Sequence, residues 1–122
     1  MTYYSFPGLR PKARMEFLRI VTGDRKQLIK ERFRRVIMAI ERVTDRKWAD
    51  IRGKSRKGIL PILRAIIGEY VYQPGLVSKQ EVANLLGLKD HTSINHFINS
   101  VIPGVKLDDK YLAIYNDIHK YL

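Results

Sequence analysis

The stretch Ser78–Val101, SKQEVANLLGLKDHTSINHFINSV, reads as two short helices joined by a tight turn. Ser78 with Glu81 three residues later has the form of a capping box, which occupies free N–H groups at a helix start and predicts that start at Lys79. Val82, Leu85 and Leu86 form an apolar side, and Gly87 breaks the first helix before Leu88 and Lys89. Asp90 is expected to cap the second helix, whose Ile94, Phe97, Ile98 and Val101 recur at three- and four-residue spacing and so form one buried stripe. Thr92, Asn95, His96 and Asn99 face away from that stripe, where such side chains can meet base edges or phosphates if the helix lies in a major groove. His91, three residues before Ile94, sits near the apolar side but in the first turn.

Outward from this segment the chain reads as helical throughout. Residues 1–10 are irregular by pattern, a short helix is expected over about 11–22, and Gly23 ends it. A second helix is predicted over about 24–43, with Ile29, Phe33, Val36, Ile37, Ile40 and Val43 as its apolar stripe. Its other faces carry Arg25, Lys26, Lys30, Arg32, Arg34, Arg35 and Arg42, an ordinary solvated surface or a set of phosphate contacts. A turn of helix near 47–51 should bury Trp48. The loop Arg52–Lys57, RGKSRK, presents four cations in six residues. The next helix should start between Lys57 and Pro61 and run to about Tyr72, because proline is tolerated only in a first turn. Pro103 and Gly104 are expected to stop the reading helix, and Asp108 to cap a last helix packing Tyr111, Tyr115, Ile118 and Leu122 inward. No segment alternates as a strand, so the fold class is all-α.

Charge narrows the partner class. The 122 residues carry a net charge of +11, and residues 1–64 hold 18 Lys and Arg against 6 acids, whereas residues 65–122 hold 5 against 6. A cationic half of this kind favours polyanions through counterion release. With no cysteine there is neither a disulfide framework nor a Cys-based zinc site. MTYYSFPGLRPKAR lacks the apolar region of a signal peptide and no run reaches membrane-span length, so a soluble, cytoplasmic protein is expected, without a membrane partner.

GKSRK at Gly53–Lys57, Arg64 within the following helix and GLKDHTSINH at Gly87–His96 resemble, in order and spacing, the C-terminal duplex-binding domain (domain IV) of the bacterial replication initiator DnaA. The Asp50-Ile51 pair and the segment 36–40 are similar as well, and the resemblance covers roughly residues 36–122. It implies a helix-turn-helix of the DnaA domain IV or Trp-repressor-like type over 36–122, preceded by a basic, partly helical extension over 1–35. It also implies sequence-specific binding of double-stranded DNA in replication initiation or its regulation, with another replication protein as a second partner. Arg56 matches an arginine that enters the minor groove, where a narrow groove concentrates negative potential. Arg64 matches a helix arginine that meets the DNA. Lys89, Asp90, His91, Thr92 and Ser93 match the signature that reaches base edges and phosphates, with simple capping as the other reading of Asp90 and Ser93. Lys54, Ser55, Lys57, Lys79 and Asn95 complete the expected DNA-binding set, while His96 is assigned to packing or plain surface. The chain departs from the family at Ala65, Ser100 and Asn95, commonly Gln, Lys and an apolar residue, so its preferred box need not be the family's TTATCCACA type.

Other classes fit less well. Gly53-Lys54-Ser55 has the end of a P-loop, but Trp48 stands where that motif needs glycine and no strand precedes it, so no nucleotide is expected. His91, His96 and His119 form no HExxH-like pair, and no nucleophile motif is present. The expectation is a non-enzyme without cofactor or metal. The rival is a protein-interaction adaptor or transcriptional regulator that uses the basic N-terminal helices.

Overall fold

The computed structural model describes residues 25–53 and 55–122, so the readings of residues 1–24 and of Lys54 lie outside the described residues. The elements are α1 (Arg25–Thr44), α2 (Trp48–Ile51), α3 (Leu60–Val71), α4 (Lys79–Leu85), α5 (Thr92–His96), a π-helical turn (Phe97–Val101), α6 (Ile102–Lys106) and α7 (Asp109–His119). The described residues are mostly helical and contain no strand, only one isolated bridge between Gln73 and Val77. No helix among them is long and apolar enough to cross a membrane.

α3 is the hub. Leu63, Ala65, Ile66, Ile67 and Val71 are buried on every side of it, which a helix needs when neighbours surround it. α1 packs on α3 and α7, and the π turn and α6 also pack on α3. Pro61 lies in the first turn, as its missing N–H requires. Gly68 and Tyr70, two residues and so about 200° apart, look out from opposite sides of α3. α5 and the π turn that follows it lie on the Gly68 side: a Cβ there would lie 3.2 Å from the Phe97 ring, so glycine permits the close approach. α1 uses the Tyr70 side.

The inward face of α1 is turned slightly from the expected stripe. Leu28, Val36, Ala39 and Ile40 are buried, as is Arg32 at 7 % exposure, while Ile29, Phe33, Ile37 and Val43 are half-buried. Arg32 donates through Nε (3.2 Å) and Nη2 (2.7 Å) to the Tyr70 carbonyl, and its guanidinium stacks 4.2 Å from the Tyr70 ring. The carbonyl belongs to the last turn of α3, which has no intrahelical partner and sits at the negative end of the helix dipole. A long side chain that buries its stem and aims its charge at such an end serves as core and cap together, which a pattern of apolar residues does not register. The boundary drawn at residue 35 falls within α1, which continues unbroken through it. Trp48, expected to be buried, is half-buried and meets Phe33 edge-on at 4.9 Å.

The expected signals at both ends of α4 and at the start of α7 are realised. Ser78 accepts from the Glu81 N–H and Glu81 accepts from the Ser78 N–H, both at 3.1 Å. α4 ends in a Schellman motif: Leu88 N–H donates to the Ala83 carbonyl (2.8 Å), Gly87 N–H to Asn84 (3.2 Å), and Gly87 sits at φ +74°. Asp108 caps α7 by accepting from the Tyr111 N–H at 3.2 Å.

The expected stop at Pro103 and Gly104 is overturned: the helix that begins at Thr92 continues to Lys106 through the π turn. Ile102 N–H reaches back five residues to the Phe97 carbonyl. This wider turn lies immediately before Pro103, where an ordinary turn would set the ring against a carbonyl four residues back. Pro103 thereby becomes an early residue of α6 rather than a stop.

Candidate nucleic-acid interface

Between the loop that follows α2 and the start of α5 lies an open cleft of about 580 Å³. One wall is Gly53 and Arg56. The other is Lys89, Thr92, Ser93 and His96, with Pro61, Leu88, Phe97 and Val101 below them. Thr92, Ser93 and His96, at spacings of one and three, share one side of the first turn of the helix.

Arg64 lies in this cleft. It is 5 % exposed, and its Nε donates to the Ile51 carbonyl at the end of α2 (2.7 Å). That bond ties the base of the basic loop to α3. Its Nη2, also shielded from solvent, has no hydrogen-bond partner. Burial lowers the Arg64 pKa, because a charge is less favoured away from water, yet an arginine stays cationic at any physiological pH. The cleft therefore holds a fixed positive charge whose Nη2 donor meets no protein acceptor.

Apart from Asp90, the expected DNA-binding residues that the structure describes divide into three groups. Arg56, Arg64, Lys89, Thr92 and Ser93 are brought together around the cleft, with Ser55 and Lys57 exposed on the same loop, where Ser55 Oγ accepts from the Lys57 N–H at 3.4 Å. His91 is not among them. It lines a second, shallower groove of about 560 Å³ with Tyr72, Ser78 and Lys79. Lys79 and Asn95 are paired with each other: Lys79 Nζ donates to Asn95 Oδ1 and lies 5.5 Å from the Tyr72 ring centre. They join α4 to α5 and fix the angle between the two helices, and Asn95 is half-buried rather than turned outward.

Asp90 holds the helix start, from one position earlier than expected. His91 is the cap residue, with its carbonyl accepting from Ile94 and Asn95, and Asp90 Oδ1 accepts from the Thr92 N–H at 2.9 Å. Hydrogen bonds from the Thr92 hydroxyl and backbone keep the exposed Asp90 carboxyl below the usual aspartate range. His96, assigned to packing or plain surface, is exposed and lines the cleft one turn from Thr92, in keeping with its i, i+4 relation to that residue. The α1 cations do not join the cleft, since α1 sits on the Tyr70 side of α3. No group of residues suited to a metal ion occurs among the described residues. No protein-family model matches the chain, and neither does any curated protein or solved structure.

Proposed function

We propose that this protein reads double-stranded DNA, with the Thr92–His96 helix in a major groove and the Arg56 loop in the adjacent minor groove. The observation that carries the reading is the cleft in which Arg56, Lys89, Thr92, Ser93 and His96 surround the unpartnered Arg64 Nη2. A phosphate oxygen meets the need of that donor, since arginine forms its strongest hydrogen bonds with anionic oxygens. Thr92 and Ser93 offer a hydroxyl each, and Thr92 a methyl for a thymine, at the end of the helix from which such helices read bases. Arg56, exposed on its loop, has the reach and the planar cation that a narrow minor groove favours. The resemblance to the DnaA duplex-binding domain adds replication initiation or its regulation as the setting, with a nucleoid location and another replication protein as partner.

Arg52, Arg56, Lys57, Arg64 and Lys89 provide about five phosphate neutralisations, so log affinity should fall with log salt at a slope of roughly −4.5. The test is fluorescence anisotropy with a duplex carrying the family's TTATCCACA-type box and a scrambled duplex of equal length. Arg56→Ala and Thr92→Ala are measured alongside. Box preference that either substitution removes supports the reading. Equal, salt-sensitive binding to both duplexes points to another box or to a non-specific binder, and binding to neither moves the adaptor reading to first place.

A further inference from the structure

The cations of α1 separate into two sets. Arg32 and Arg35 turn inward, Arg32 onto the Tyr70 carbonyl and Arg35 Nη1 onto the Tyr70 hydroxyl at 3.0 Å. Lys26, Lys30 and Arg34 are all exposed, one turn apart, and form a row about 12 Å long. None of the three has an ion-pair partner among the described residues. The nearest acid on the helix, Glu31, takes a hydrogen bond from Gln27. Like charges at i, i+4 weaken a helix, so local helix energetics opposes the row, and no ion pair to it occurs among the described residues. The other half of the outward face is different, for there Met38, Glu41, Arg42 and Asp45 are mixed in character and Arg42 stacks on Tyr121.

We infer that the Lys26–Lys30–Arg34 row binds the phosphate backbone of a second DNA duplex, so that one molecule bridges two. The inference rests on the DNA-reading function proposed above and adds a second surface to it. α1 covers the Tyr70 side of α3 and the reading helix covers the Gly68 side, so the outward row of α1 faces away from the reading helix. The row holds only long cations with Gln27 beside them, whereas protein interfaces have an apolar or aromatic centre. Insertion into a lipid surface would need the apolar stripe of α1, and Leu28, Val36 and Ile40 are committed to the core. Phosphate backbones ask for neither, only for cations at regular spacing.

The experiment is energy transfer between donor- and acceptor-labelled box duplexes mixed with the protein, beside anisotropy on a single duplex. The variants are the triple Lys26→Glu, Lys30→Glu, Arg34→Glu and its milder all-Gln counterpart, with circular dichroism reporting the fold. The expected result is energy transfer with the wild type. It should fall by about tenfold in the triple-Glu variant and less in the triple-Gln variant, while single-duplex affinity and box preference stay within about twofold. Wild-type binding to one duplex without energy transfer overturns this inference and leaves the reading of the cleft intact. Energy transfer that persists in both variants also overturns it, as does a parallel loss of single-duplex affinity, which would put α1 on the first duplex. Absence of any duplex binding overturns both. Acquisition of anionic phosphatidylserine vesicles through the row, without bridging, assigns it to a membrane surface and overturns it as well.

Discussion

Two buried arginines divide the molecule. At the α1–α3 junction, Arg32 is 7 % exposed and spends its guanidinium on the Tyr70 carbonyl and ring. In the cleft, Arg64 is 5 % exposed and spends Nε on the Ile51 carbonyl, while its Nη2 has no partner. Each reaches a carbonyl at the end of a helix, where acceptors lack intrahelical donors. The difference is in what is left over. A buried charge with its donors used contributes to the fold, whereas one with a donor left unpartnered carries a desolvation cost that its own fold does not offset, and the proposed reading gives that donor a phosphate.

The comparison makes opposite demands on the two residues. Arg32→Ala should destabilise the protein by about 2–3 kcal/mol, through the lost stem packing and the uncapped Tyr70 carbonyl, which chemical denaturation measures. Its DNA affinity, measured on the folded fraction, should stay close to that of the parent. Arg64→Met keeps the stem and removes the orphan donor together with the Ile51 bond, so stability should change by less than about 1 kcal/mol. Duplex affinity should fall by about tenfold or more, corresponding to about 1.4 kcal/mol or above. If Arg64→Met unfolds the protein while leaving the affinity of the remaining fold unaltered, the division between the two arginines is wrong.

Capping supplies a smaller effect. Ser78→Ala removes the side-chain acceptor of the Glu81 N–H and should cost about 1 kcal/mol of stability, with a modest loss of duplex affinity because α4 supports the reading helix. A Ser78→Asp variant that keeps the acceptor should recover most of it.

His119 tests whether an unpaired buried nitrogen always marks a binding site. Its Nε2 is the other buried side-chain atom without a hydrogen-bond partner among the described residues, 3.9 Å from Glu69 Oε1, which also accepts from the Tyr115 hydroxyl. Burial lowers the His119 pKa, with Glu69 opposing that shift and Lys106 adding to it. Burial and the bond to Glu69 push the Tyr115 hydroxyl upward, so the phenol stays neutral. Because the folded state holds the His119 proton less tightly than the unfolded chain, its contribution is complete above the ordinary histidine value of 6.5 and declines as pH falls through and below it. His119→Gln should flatten that decline in thermal melts between pH 7 and 5 without altering duplex binding, because His119 lies on α7 and outside the cleft. This is the smallest of the expected effects.

What could be read from the residues themselves follows a physical rule. Ser78 and Glu81, Gly87, Pro61 and Asp108 act on backbone groups within one turn of themselves, so their consequences for helix starts and ends are written in the local order of residues. The apolar stripes are likewise properties of period, and they sufficed for the helical class of the described residues and for the pair of helices within residues 78–101. The helix through Pro103 escaped because the π turn that accommodates proline is not signalled by periodicity. Arg32 and Arg64 look alike as residues in a helix, and their partners, Tyr70 and Ile51, lie 38 and 13 positions away. Only the packing of α1 on one side of α3 and of α5 on the other determined that Arg32 directs both Nε and Nη2 to one helix-end carbonyl, while Arg64 meets another with Nε and leaves Nη2 without a partner. The same packing placed His96 in the cleft, set His91 apart from it and joined Lys79 to Asn95. Burial and the supply of acceptors are properties of neighbours in space, and those neighbours come from distant parts of the chain.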